Sequence, residues 1–145
     1  MIKHLSRIAF TAFAIALLSI TAHAATIAFK ADLKASTEVP PNDGAGAGKL
    51  SATLNTETNE FKYHIEFSGL SGPAVAAHFH GPAAAGVNAK PQVPIKGSPI
   101  ASPIDGTATL TADQVKDLEA GQWYFNVHTA AHPGGEIRGQ IVKGK

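Results

Sequence analysis

Apolar and polar positions alternate with period two through most of the chain. From Thr26 to Ala35, Ile27, Phe29, Ala31 and Leu33 alternate with Lys30, Asp32 and Lys34, the pattern of a half-buried strand. Residues 36–44 break it, because Pro40 and Pro41 lack the N–H that a ladder needs and favour an extended loop. A second strand is predicted over 46–55, with Leu50, Ala52 and Leu54 inward and Lys49, Ser51 and Thr53 outward. The polar turn Thr56-Glu57-Thr58-Asn59 leads to a third strand whose inner face is Phe61, Tyr63, Ile65 and Phe67, so the two form a hairpin. Residues 69–73 turn the chain into a fourth strand over 74–80, where Val75, Ala77 and Phe79 take one face. Residues 81–103 are rich in Gly, Pro and Ala, with only 93–96 strand-like, and such long irregular connections tend to be functional.

A short strand over 104–110 precedes the one well-signalled helix, over 112–120. Thr111 is a good N-cap, and Gln114 three residues on completes a capping box. Leu110 can pack on Val115 as a hydrophobic staple, and Gly121 suits the position after the C-cap. The chain closes with a strand over 123–129, a loop over 130–134 and a last strand over 135–142. Seven or eight strands with turns at this spacing predict an all-β fold, an antiparallel Greek-key sandwich or barrel with one short helix. No internal repeat and no linker suggests a second domain, so residues 25–145 are predicted to form one.

The first 24 residues read differently. Lys3, His4 and Arg7 precede an apolar run from Ile8 to Ile20, and Ala22-His23-Ala24 supplies the small-x-small pattern of a signal-peptidase site. The run is shorter than the roughly 20 residues that span a bilayer. A cleaved leader ending at Ala24 is expected, which places the domain in the periplasm or outside the cell, free of the membrane. Loss of Lys3 and Arg7 takes the formal charge from +1 to −1, and no basic patch remains to suggest nucleic acid. A protein partner is compatible with this surface, but no residue names one. Cysteine is absent and the one methionine is Met1. That excludes disulfides, blue-copper sites and thioether sites, so any metal would have to be held by nitrogen and oxygen.

On the fourth strand His78 and His80 take the face opposite Ala77 and Phe79, about 6.6 Å apart at a rise of roughly 3.3 Å per residue. On the 123–129 strand, Tyr124, Asn126 and His128 lie opposite Trp123, Phe125 and Val127. If the two strands are neighbours, His128 becomes a third ligand, and His132 in the following loop a fourth. Such a set suits zinc, copper(II) or nickel(II). Asn126 shares His128's face, and Glu136 and Arg138, on one face of the last strand, read as a surface or cross-strand ion pair or as hydrogen-bonding supports behind the histidines. Three readings stay open: a metal site, a hydrogen-bonded cluster without metal, and simple exposure. His64, between Lys62 and Glu66, reads as solvated. The stretch Gly44-Ala45-Gly46-Ala47-Gly48-Lys49 is no phosphate loop, because Leu50 stands where Ser or Thr is required and a strand follows. There is no nucleophile elbow and no carboxylate spacing that favours a catalytic pair, so no catalytic residue is assigned.

Four ordered stretches carry a family likeness: Phe29 to Leu33 with Glu38-Val39-Pro40-Pro41, residues 77–83, residues 121–129, and residues 133–140. Together they resemble the CHRD domain, named for chordin. The resemblance implies a secreted all-β module, and it implies that His78, His80 and His128 match the family's histidine motifs while His132 lies in a variable loop. Growth-factor binding belongs to the animal multidomain members and does not carry over. The His-x-His strand is also similar to the copper strand of Cu/Zn superoxide dismutases, but no zinc loop or disulfide matches, so dismutase activity is not implied. The two readings carried forward are an exported module binding Cu(II) or Zn(II) through histidines, and a structural or protein-interaction domain whose histidines organise loops.

Overall fold

The computed structural model describes residues 25–97 and 99–145. The leader expected over 1–24 lies outside the described residues. The elements run β1 (Thr26–Lys34), β2 (Ala47–Asn55), β3 (Glu60–Ser68), β4 (Ala74–His80), β5 (Pro91–Pro94), β6 (Ile104–Thr109), α1 (Ala112–Glu119), β7 (Tyr124–Thr129), β8 (Ile137–Gln140) and β9 (Val142–Lys143). The strands form one antiparallel sheet in the order β5-β4-β7-β8-β1-β2-β3-β6, with β9 beside β1. It coils into a nearly closed barrel whose two end strands are β5 and β6. The all-β expectation therefore resolves to the barrel, with one short helix.

Period-two alternation explains why the sheet curls as it does. Phe29, Ala31 and Leu33 of β1, Leu50, Ala52 and Leu54 of β2, and Phe61, Tyr63 and Ile65 of β3 are all buried on one face. Ala77, Phe79, Phe125, Val127 and Ile137 meet them from the β4-β7-β8 side. Phe79 sits at the centre, with ring centroids 4.8 Å from Phe125, 4.9 Å from Tyr63 and 5.3 Å from Phe61. Tilted and edge-on contacts of this kind add about 0.5–1.5 kcal/mol per pair beyond the area they bury. In α1, the Thr111 side chain accepts from the Gln114 N–H and Gln114 accepts from the Thr111 N–H, the predicted capping box. Leu110 and Leu118 are buried and Val115 packs against the core, so the helix closes one end of the barrel.

Several boundaries differ from the sequence reading for identifiable reasons. Val75 is exposed rather than inward, because a register shift between Ala74 and Ala76 puts Ala74 inside instead. The fifth strand is Pro91–Pro94, set by its pairing with β4 rather than by the apolar run at 93–96. The last strand divides at Ile141, which turns into the core between β8 and β9. Residues 35–37 form a single 3-10 turn that starts the loop toward β2.

The β4-β7-β8 part of the sheet is buried on both faces. Its outer face carries polar groups in register: Ala76 beside His128, then His78-Asn126-Arg138, then His80-Tyr124-Gln140. Two loops roof this layer. Residues 35–46 are tied to β8 by Thr37 Oγ1 donating to the Arg138 carbonyl, and to the residue just before it by Asn42 Nδ2 donating to the Glu136 carbonyl at 3.0 Å. Residues 81–90 join that loop through Asn88 Nδ2, which donates to the Val39 carbonyl at 3.2 Å.

Candidate metal centre

Antiparallel pairing of β4 with β7 brings the three strand histidines together. His78 faces Asn126 across the pair, His80 faces Tyr124, and His128 faces Ala76, whose small side chain leaves room for the imidazole to lean toward His78. Ring centroids are 5.1 Å apart for His78 and His128, 5.4 Å for His78 and His80, and 6.4 Å for His80 and His128. His78 Nδ1 lies 3.2 Å from His128 Nε2. One ligand atom from each of the three falls within 4.8 Å of the others.

Backbone carbonyls fix two of the tautomers. His80 Nδ1 lies 2.9 Å from the Ala89 carbonyl and His128 Nδ1 lies 3.0 Å from the Pro133 carbonyl. A carbonyl only accepts, so each Nδ1 carries the proton and each Nε2 is left with a lone pair. The His80 Nε2 is buried and has no partner. An imidazole held by Nδ1–H on a carbonyl, with Nε2 free, is the arrangement that metal-ligating histidines use.

All three imidazoles are held below the usual histidine pKa. Burial is the main cause at His78, with the neighbouring His128 and His80 adding to it. At His80 burial again leads, opposed by the Ala89 hydrogen bond and the Asn126 side chain and reinforced by the His128 and Arg138 charges. At His128 burial outweighs the Pro133 hydrogen bond. The cluster therefore stays neutral at neutral pH, which is the form that binds metals.

Beneath the histidines lies a stacked support. His80 stacks on Tyr124 with centroids 4.7 Å apart and planes at 4°, and the Arg138 guanidinium lies 3.4 Å from the Tyr124 centroid. Tyr124 Oη accepts from the Ala89 N–H at 3.1 Å, so one residue of the roofing loop holds both stacked rings. Arg138 is 2% exposed and donates to Asn88 Oδ1 at 2.9 Å and to the Val87 carbonyl at 2.6 Å. Asn126 is buried between His80 and Glu38 and touches both. Burial pushes the Glu38 carboxyl up, against its hydrogen bond from the Val39 N–H, the Asn126 side chain and the Arg138 charge.

Glu136 and Arg138 are not the surface ion pair that the sequence suggested. Both are buried under the roofing loops, and Glu136 turns to other partners. It accepts from the Ser71 N–H at 2.7 Å, from Ser71 Oγ at 2.6 Å and from Thr129 Oγ1 at 2.6 Å. Burial alone would raise its pKa, but these donors prevail and hold it below the ordinary carboxylate value. His132 does not join the three clustered histidines; it sits in the 130–134 loop. His64 is exposed yet paired, with Nδ1 2.7 Å from Asp105 Oδ1 and Nε2 3.6 Å from Glu66 Oε1. A groove of about 610 Å³ runs past it between Lys30, Lys49 and Glu66, sharing no residue with the histidine cluster.

Sequence reasoning did not assign roles to Tyr124, Glu38 or the carbonyls of Ala89 and Pro133. Tyr124 carried a signal, since it shares a strand face with Asn126 and His128. The carbonyls carried none, because any residue offers one.

No curated protein and no solved structure matches the chain. The CHRD domain model matches residues 29–141, from within β1 through β8, and takes in all three clustered histidines. The chain belongs to the CHRD domain family.

Proposed function

We propose that this CHRD domain is an exported metal-binding module in which His78, His80 and His128 hold one copper or zinc ion. The observation that carries the reading is the three-histidine cluster itself, in which one nitrogen of each imidazole lies within 4.8 Å of the others. The 3.2 Å separation of His78 Nδ1 and His128 Nε2 suits two donors on one ion. With metal–nitrogen distances of about 2.0–2.1 Å, it corresponds to an angle of roughly 100° at the metal, close to tetrahedral. Three nitrogen donors leave a fourth position for water or another ligand. Export fits the apolar leader, and no helix of the described residues is long and apolar enough to cross a membrane.

Calorimetric titration of the protein with Cu(II) and with Zn(II), beside a His78→Ala/His80→Ala variant, tests the proposal. One ion per chain is expected, with affinity at least about 100-fold weaker in the variant by the loss of two ligands. Equal, weak binding by both proteins would overturn it.

A second reading is favoured by the same short contacts. The His78–His128 hydrogen bond and the two carbonyl bonds tie residues 81–90 and 130–134 to the barrel, so the histidines could serve loop order in a structural or protein-interaction domain. That reading expects no stoichiometric metal and a lowered melting point when His80 or His128 is truncated. An enzymatic role would need a substrate pocket over the open metal position, and no residue is assigned to catalysis.

A further inference from the structure

Given the metal-binding reading above, one buried amide beside the histidines bears on how the site is completed. Asn126 is 3% exposed and lies on the same outer face of the sheet as the three imidazoles. In the β4–β7 register it is the direct partner of His78, which sets their Cβ atoms about 4.5–5.5 Å apart. Along β7 it stands two residues from His128, and its side chain touches His80. It therefore neighbours every member of the cluster. Its Oδ1 is buried and has no hydrogen-bond partner among the described residues. The other end of the amide is accounted for. Nδ2 and Glu38 Oε1 crowd the same point, where a Cβ at Gly135 would stand. The N–H side thus faces the carboxyl group, and Oδ1 faces away from it, toward His80.

With Nδ1 donating to the Ala89 carbonyl, His80 offers the amide only its Nε2 lone pair. Two buried acceptors thus face one another, and neither can donate. Turning the amide over only moves the conflict, because Oδ1 would then face Glu38 Oε1, which is also buried without a partner. A proton on Nε2 resolves it only by making His80 a cation, which burial disfavours. A bound cation resolves it by taking an electron pair from each atom. We propose that Asn126 Oδ1 is the fourth protein ligand of the ion held by His78, His80 and His128. The donor set is then three imidazole nitrogens and one amide oxygen, all neutral and all from two paired strands. Four protein donors close the site, as in metal centres that hold an ion rather than present it to a substrate.

The test uses Co(II), a spectroscopic stand-in for zinc, and azide, which coordinates where a bound water can be displaced. Both are titrated into the unaltered protein, Asn126→Ala and Asn126→Asp. One Co(II) per chain is expected in the unaltered protein, with visible bands that azide leaves unchanged. Asn126→Ala should bind Co(II) roughly 10–100-fold more weakly, and azide should shift its bands saturably. Weaker binding alone would also follow from lost positioning, so azide is the readout that separates a ligand from a support. Asn126→Asp keeps an oxygen in the same place. It should stay closed to azide while its bands move, because a carboxylate replaces an amide on the ion. This variant carries the test if Asn126→Ala does not fold. Azide acting alike on the unaltered protein and Asn126→Ala, or Asn126→Asp bands identical to those of the unaltered protein, would overturn this inference and leave metal binding standing. Failure of Co(II), Cu(II) and Zn(II) alike to bind would overturn both.

Discussion

Glu136 shows what a single buried carboxylate does for this barrel. It gathers the Ser71 N–H and hydroxyl and the Thr129 hydroxyl at 2.6–2.7 Å, so it pins the turn before β4 to the end of β7. Its pKa in the folded protein is held below the unfolded value of about 4.3. The stabilisation is therefore fully present above that value and is lost as pH falls through the lower folded one. Glu136→Gln should cost about 2 kcal/mol at neutral pH and should flatten the acid limb of a melting-point-against-pH curve; an unchanged acid limb would rule out this role. The histidines divide in the same terms. His64 is raised by its hydrogen bond to Asp105 while His78, His80 and His128 are lowered by burial. Protonation of His64 favours the folded state, an effect present below about 6.5 and lost as pH rises through its raised value. The clustered three do the reverse: their contribution is present above about 6.5 and is lost as pH falls toward their lowered values. A histidine NMR titration should find His64 still protonated at a pH where the other three are neutral, and one common midpoint for all four would contradict the assignment.

At the scale of elements, the strands were legible because each buries one face, and a period of two in Phe29 to Leu33 or Phe61 to Ile65 has no other simple reading. The helix was legible from Thr111 and Gln114. Thr111→Ala should cost about 1 kcal/mol, measured as a shift in denaturation midpoint at constant m-value. The rule that reads polar residues as outward failed on β7 and β8. Arg138, Asn126 and Glu136 do face away from the apolar core, but residues 35–46 and 81–90 fold over them, and loops of Gly, Pro and Ala announce no packing face. The three-histidine cluster was visible as parity, whereas the pairing of β4 with β7 that closes it needed the tertiary fold. Gly135, with φ of +128°, shows how closely that roof is fitted: a Cβ there would strike the Glu38 carboxylate and the Asn126 amide. Gly135→Ala should lower stability by more than the roughly 1 kcal/mol typical of an exposed glycine, and should weaken metal binding with it. Retained stability and retained binding would count against the fitted roof.

For the molecule as a whole, the absence of cysteine leaves the core and the polar layer as the sources of stability, so the proposed ion should act on the global unfolding equilibrium. A ligand that binds only the folded state at 100 times its dissociation constant adds about 2.7 kcal/mol. Excess ion should raise the melting point of the unaltered protein and leave that of His80→Ala unmoved, and a rise shared by both would point to binding elsewhere. The two end strands of the sheet carry a further consequence. Strand β5 begins and ends in proline, at Pro91 and Pro94, and a proline has no N–H to offer an incoming strand. A barrel left open between β5 and β6 would otherwise present a template for chain-to-chain stacking at one lip. With those two positions silent, that edge offers an incoming strand fewer hydrogen-bond donors from which fibres could grow at high protein concentration.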